Sequence, residues 1–434
     1  MGSPAFQLAD LLQEHPMIGA FHRQGRISAM AIVPGLYGGY GVRTPRPGSA
    51  RHMVDPIPEG WKNTLARAER ALAEPFRGLT TDGQVVPGLF SLQQTGLSTK
   101  PMKDAADAFI ASLTAVQQKM ALHPIDSQEW RKWTNWEQYP LRHGVSLDQM
   151  SASQRDAALA LLRESLSVRG FETARNVMKL NEVLGEITGN WEFFGEWYYF
   201  LCIFGTPSMD EPWGWQIDGH HLNLNYFVLK DQVVMTPAFW GAEPAIADRG
   251  PYAGLREFDA EQRNGLELIR ALSLSQQEKA IIFKSIVSTD LPPERYTPPD
   301  GRQQSVSFKD NVVIPYEGIR ADALTPGQRY LLLALIQTYT SHLRPGHDQV
   351  WLEEIKQHLS ETWFAWMGGF GDNDVFYYKV HSPVLLVEFD MHKGVFLDND
   401  EPEKFHIHIM VRTPNGNDYG KDLLRQHLER FHRR

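Results

Sequence analysis

The stretch FHIHIMVR, residues 405–412, decides the fold. Phe405, Ile407, Ile409 and Val411 alternate with His406, His408, Met410 and Arg412. A period of two is that of a strand with one face in a core. His406 and His408 therefore share a face, about 7 Å apart at the backbone, close enough to hold one metal ion. Upstream, VEFD at 387–390 puts Glu388 and Asp390 on one face in the same way. If 375–390 and 404–412 are neighbours, that face lies beside the histidines. Arg412 then stands on the His408 side, where a guanidinium can clamp a substrate carboxylate or phosphate.

Working outward, a second β region spans about 197–240, rich in aromatic and β-branched residues and punctuated by Gly and Pro. Helical periodicity marks 59–73, 103–119, 153–168, 171–187, 259–273, 275–287, 325–342 and 349–366, with a closing helix at 420–431. Ser151 or Ser153 is the expected N-cap of the third of these. Residues 127–136 continue the helical tract with Trp130, Trp133 and Trp136, and LTTDGQVVPGLF at 79–90 reads as a turn-linked strand pair. Residues 290–318 form a loop-rich insert, and in TPNGNDYG, 413–420, Asp418 or Thr413 is expected to cap the next helix. Strands and helices are segregated rather than alternating. The expected class is α+β, with antiparallel sheet segments at about 197–240 and 375–412 packed with several helices. The expected organisation is a Gly/Pro-rich extension over 1–70 and a single domain over 71–434. The extension holds a short helix at 6–14 and the loop GLYGGYG at 35–41.

A second histidine pair lies in WGWQIDGHHLNLN, 213–225. Read as a strand, His220 and His221 diverge, so only one joins a common site unless Gly219 introduces a bulge. The metal reading takes its ligands from His220, His221, His406 and His408, with Glu388 or Asp390 as ligand or base. Such a shell suits a divalent metal, Zn or Fe. The same residues could form a metal-free His/carboxylate acid-base site, or bond buried polar groups structurally. Trp213, Trp215, Phe239 and Trp240 are core aromatics or, with Asn223, the wall of a substrate pocket.

The 434 residues carry 43 Lys+Arg against 52 Asp+Glu, a net charge of −9 that disfavours nucleic-acid partners. The single cysteine, Cys202, excludes a Cys-rich zinc site and an internal disulfide, and reads as a small buried hydrophobe. G-x-S-x-G, H-E-x-x-H, a P-loop and a dinucleotide fingerprint do not occur in a matching context. With neither a secretory signal pattern nor an apolar span, the expectation is a cytoplasmic protein with no membrane partner.

With those residues in view, the chain resembles the domain of unknown function 3500 family from about Glu74 to the C-terminus. The resemblance rests on FRGLTTDG (76–83), EWRKWTN (129–135), FGTPS (204–208), WGWQIDGHHLNLN, TPAFWGAEPA (236–245), VLLVEFD (384–390) and HIHIMVRTPNGNDYG (406–420). It implies no reaction, but its blocks coincide with the histidine and acid clusters. The sequence favours a metal-dependent enzyme acting on a small organic molecule, with hydrolysis ahead of other reactions. The alternatives are a non-haem iron oxidoreductase with the same ligands and a non-catalytic small-molecule-binding protein.

Overall fold

The computed structural model describes residues 59–137, 142–191, 193–298 and 300–432. The helix expected at 6–14 and the GLYGGYG loop lie outside the described residues. One large mixed sheet organises the rest. Its strands are β1 (Leu122–His123), β2 (Val145–Ser146), β3 (Tyr199–Phe204), β4 (Trp213–Gly219), β5 (Leu222–Leu229), β6 (Gln232–Val234) and β7 (Ala238–Ala242). They continue with β8 (Ile281–Phe283), β9 (Ile319–Arg320), β10 (Trp363–Gly368), β11 (Phe376–His381), β12 (Leu386–Met391) and β13 (Ile407–Arg412). The order is β1-β3-β4-β5-β7-β13-β12-β11-β10-β8, with β2 on β3, β6 on β5 and β9 on β10. Most pairs are antiparallel; among the strands of the described residues, β1–β3 and β8–β10 are parallel. The fold is thus α+β, and both expected β regions join in one sheet through the β7–β13 pair.

Cross-strand partners share a face, so the registers assign every side chain in the centre of the sheet. Trp213, Trp215, Leu224, Tyr226, Trp240, Ile407, Ile409, Phe389 and Tyr378 fall on one face, which is apolar and packed against helices. Among the described residues the helices are α1 (Glu59–Ala73), α2 (Lys100–Ser112), α3 (Ala115–Ala121), α4 (Ala152–Ser165), α5 (Val168–Thr188), α6 (Asp259–Ala271), α7 (Leu274–Ala280), α8 (Pro326–Thr340), α9 (His347–Gln357) and α10 (Lys421–Phe431), and residues of α2 to α10 belong to this apolar core. Rings on this face keep their polar tips satisfied. Trp215 Nε1 donates to Ser165 Oγ at 3.1 Å, and Tyr226 OH to the Ser165 carbonyl at 3.0 Å, both in α4. Tyr378 OH reaches the Glu261 carbonyl of α6 at 3.0 Å.

The opposite face carries Cys202, Gln216, Asp218, Asn223, Asn225, Phe239, His408, Met410, Arg412, Asp390 and Glu388. All of them are buried, under loops rather than helices. Residues 128–136, the 300–310 stretch of the loop-rich insert and the 413–419 turn cover it.

Several expected elements differ. The tract 103–119 is two helices, because Thr114 begins a new one with a capping box to Gln117. Ser151 caps α4 in the same way with Gln154. Residues 127–136 hold only a 3-10 turn, Gln128–Arg131. The helices expected at 275–287 and 349–366 stop early, and their apolar ends become β8 and β10. Residues 79–90 do not form a strand pair; Thr80 makes a single bridge to Val313. Neither Thr413 nor Asp418 caps α10, whose N-cap is Gly420 with no side-chain cap bond.

Gly170 tests how tightly α5 is seated. In an exposed helix, Gly→Ala gains roughly 0.5–1 kcal/mol. Here a Cβ would lie 2.2 Å from the His342 carbonyl oxygen, which also accepts from Ser167 N at 3.0 Å. The steric cost wins. Gly170→Ala is expected to lower stability by about 1–3 kcal/mol, read as a fall in the urea midpoint; an unchanged or raised midpoint would contradict this packing.

Candidate metal centre

β13 presents His408 on the loop-covered face, and His406 immediately precedes the strand. The third ring comes from a turn. His220 and His221 are the two residues between β4 and β5, with Gly219 paired to Leu222, rather than the start of a strand. His221 adopts φ 63°, an uncommon left-handed geometry for a non-glycine residue. It is pinned on both sides: its N–H donates to the Asn135 carbonyl at 3.2 Å, and its carbonyl accepts from Gly241 N at 2.8 Å. Gly241, opposite His408 in the sheet, leaves room for the ring. A Cβ there would sit 3.2 Å from His221 Cδ2 and 2.7 Å from the Ile407 carbonyl.

The three rings converge. His408 Nε2 lies 3.0 Å from His221 Nε2 and 3.0 Å from His406 Nε2. The ligand atoms of all three are within 4.8 Å of one another. Imidazoles bound to one tetrahedral ion at 2.0–2.1 Å place their nitrogens about 3.3 Å apart, so the observed spacing is close to that of a filled site. Hydrogen bonds alone serve the trio poorly. His406 Nδ1 is 2.7 Å from the Lys393 carbonyl, which can only accept, so Nδ1 carries the proton and the neutral ring turns a lone pair inward. One hydrogen on His408 must then serve two acceptors, or two lone pairs must face each other. A cation satisfies all three nitrogens at once.

The rings are neutral and available. Burial, then mutual repulsion with neighbouring histidines, holds His221 and His408 well below the ordinary imidazole range. Burial and His392 do the same for His406, against the opposing pull of the Lys393 carbonyl. His220 stays outside the trio. Its Nδ1 bonds Asn181 Oδ1 at 2.8 Å, and its ring stacks on His221 with centroids 3.9 Å apart. It props His221 rather than joining the trio.

The acids stand one layer back. Asp390 lies opposite His408, but its carboxylate is bound by the Arg302 side chain and by Arg302 N. Burial would raise its pKa, yet Arg302 and His392 together bring it below the usual value. Glu388 accepts from Gln304 N (2.8 Å), Ser305 N (2.9 Å), the Ser305 hydroxyl and Tyr377 OH (2.8 Å), and so fastens the covering loop. The Arg412 guanidinium is likewise engaged, by Asp418 at 2.7 Å, Asp310 at 2.8 Å and the Ser305 carbonyl at 2.7 Å. Asp310 also bonds Arg131 at 2.7 Å, and Arg131 reaches the Ala71 and Glu74 carbonyls at the end of α1. Of the expected pocket residues, Phe239 and Asn223 share the histidine face. The Phe239 ring is 5.2 Å from that of His408, and Asn223 donates to Asp218 at 2.7 Å. Trp213, Trp215 and Trp240 point the other way, into the helix-packed core, and line no wall of this site.

Two neighbours escaped the sequence reading. His392 continues the alternation of Glu388 and Asp390. Its ring lies 4.1 Å from that of His408, and its Nε2 is 3.2 Å from Asp390 Oδ2. Glu243 sits in TPAFWGAEPA. Its Oε1 accepts from the backbone N–H groups of Val395, Phe396 and Leu397 at 2.8–3.0 Å, while Oε2 lies 3.7 Å from His406 Nδ1. That carboxylate steadies the segment whose Lys393 carbonyl orients His406.

The family described as "Protein of unknown function (DUF3500)" matches residues 95–421, which include every residue of this site. No curated protein and no solved structure is a match. The match covers most of the chain, which belongs to this family.

The Arg131–Asp310–Arg412–Asp418 network makes a separable prediction. Asp310→Ala leaves two buried guanidinium groups short of a counter-charge and is expected to cost about 3–5 kcal/mol. Denaturant titration would read the loss; a change under 1 kcal/mol would show that the network contributes little.

Proposed function

We propose that this DUF3500 member is a metal-dependent hydrolase acting on a small organic molecule, with His221, His406 and His408 as the metal ligands. The observation that carries the reading is the convergence of three neutral imidazoles, with His408 Nε2 3.0 Å from the Nε2 atoms of both His221 and His406. Three histidines leave a fourth tetrahedral position for water or a substrate carbonyl, the arrangement of hydrolytic zinc. The all-nitrogen donor set favours zinc. A non-haem iron oxidoreductase typically adds a carboxylate to two histidines, whereas Asp390 and Glu388 are bound elsewhere and Glu243 lies behind His406. His392, with its ring over His408 and its Nε2 beside Asp390, would serve as the proton-accepting group of the site. Arg302 and Glu388 hold the loop that keeps this pair in place.

Burial favours a second reading. His406 is fully buried and His221 and His408 nearly so, which suits a structural ion fastening the 220–221 turn to β13.

Metal analysis of protein purified without chelator, followed by hydrolysis of a panel of chromogenic esters, lactones and amides, separates these readings. His406→Ala and His408→Ala are each expected to lower bound zinc by one equivalent per chain and abolish turnover. His392→Gln is expected to keep the metal and lower kcat by about 10²–10⁴-fold. Unchanged zinc in His406→Ala would overturn the site. Zinc that is present but supports no turnover, while chelation lowers Tm, would assign the ion a structural role.

A further inference from the structure

A second constellation lies at the sheet edge, away from β13. β1 runs parallel to β3 with His123 beside Phe204, and on β3 Cys202 and Phe204 share a face, so His123 and Cys202 point to the same side. The chain returns through His143 just before β2, which pairs with β3 at Leu201 and Phe200. Gly144 makes this approach possible. It has φ 91°, and a Cβ there would sit 2.7 Å from the Leu201 carbonyl and 3.3 Å from Cys202 Cβ. The imidazole rings of His123 and His143 meet edge to face with centroids 5.1 Å apart.

The donors of these three residues lie within 4.8 Å of one another. His123 Nε2 is buried and has no hydrogen-bond partner. Cys202 Sγ has only a long contact, 3.9 Å, to the Gln216 carbonyl. A buried sulfur beside a buried ring nitrogen without a partner is poorly served by the protein alone. An ion bonded at 2.0–2.1 Å to nitrogen and 2.3 Å to sulfur spans donor separations of about 3.5 Å, against separations of no more than 4.8 Å here.

We propose that Cys202, His123 and His143 form a second metal site, of thiolate–bis-imidazole type, that takes a borderline-soft divalent ion such as Zn²⁺. Sulfur and imidazole together select this class over Mg²⁺ or Ca²⁺. Binding removes the thiol proton to solvent and forms a metal–sulfur bond, with no change of oxidation state. Glu129, whose Oε2 lies 3.5 Å from His143 Nδ1, stands at the rim and is also paired with Lys132. The ion would tie three segments far apart in sequence: β1, the turn before β2 and β3. This site does not depend on the His221/His406/His408 assignment.

The test uses Co²⁺ titrated into the chelator-treated full chain, followed by absorption spectroscopy. A coordinated thiolate gives an intense near-ultraviolet sulfur-to-cobalt charge-transfer band, which an all-histidine site lacks. The expected result is a band whose final amplitude corresponds to one thiolate-bound Co²⁺ per chain and which disappears in Cys202→Ser. His123→Gln, which keeps the thiol and serves if Cys202→Ser fails to fold, is expected to abolish the band or weaken Co²⁺ binding at least tenfold. In His406→Ala the band is expected to persist, which separates this site from the other. Absence of the band in the unsubstituted protein, or full retention in His123→Gln, would overturn the proposal.

Discussion

Burial of the polar face of the sheet is the constraint on which the rest of the structure depends. A sheet with one solvated face can leave its polar residues to water. Here that face is covered by loops, so each carboxylate, guanidinium and imidazole on it must find a partner inside the protein. Glu388, Asp390 and Arg412 find theirs in residues 302–310 and in Asp418. The loops are thus ordered by the charges they cover, which explains how a loop-rich insert with little regular structure can roof a site. Beside these paired charges, three histidine ring nitrogens face one another.

The same contrast separates structural charge from chemistry. Arg412 has the residue type of a substrate clamp, yet two aspartates and a backbone carbonyl bind it and burial is complete, so its role is to join β13 to the 310 loop and the 418 turn. Glu388 plays the equivalent part on β12. His221 and His408, by contrast, have ring nitrogens whose nearest polar neighbours are other ring nitrogens. Chemistry is assigned to the groups that the protein leaves needing something.

Alternation made β13 and the Glu388/Asp390 face legible in the sequence, and the same signal, followed two residues further, reaches His392. What it could not give was the register linking distant strands. That register puts Trp213, Trp215 and Trp240 behind the sheet while Phe239 and Asn223 stay in front. The position of His221 was equally hidden, because a turn at 220–221 follows from the pairing of Gly219 with Leu222 rather than from the residues themselves. Where a helix runs straight into a strand, as at Ala280–Ile281, no Gly or Pro marks the change, and periodicity overextends the helix. Trp130, Trp133 and Trp136 recur every three residues as on a helix, yet tertiary bonds such as Trp130 Nε1 to the Ile125 carbonyl at 2.9 Å and Trp133 Nε1 to Tyr419 OH at 2.9 Å fix them in irregular chain. The Cys202 cluster was equally hidden, because its members meet through the pairing of distant strands and the turn before β2.

The central claim is that a metal ion sits among three specific nitrogens, and anomalous diffraction at the zinc edge from crystals of the zinc-loaded protein tests it most directly. The account predicts an anomalous peak about 2.0–2.1 Å from the Nε2 atoms of His221, His406 and His408, with His220 outside bonding distance. Strong density for the three rings with no anomalous peak between them would contradict it.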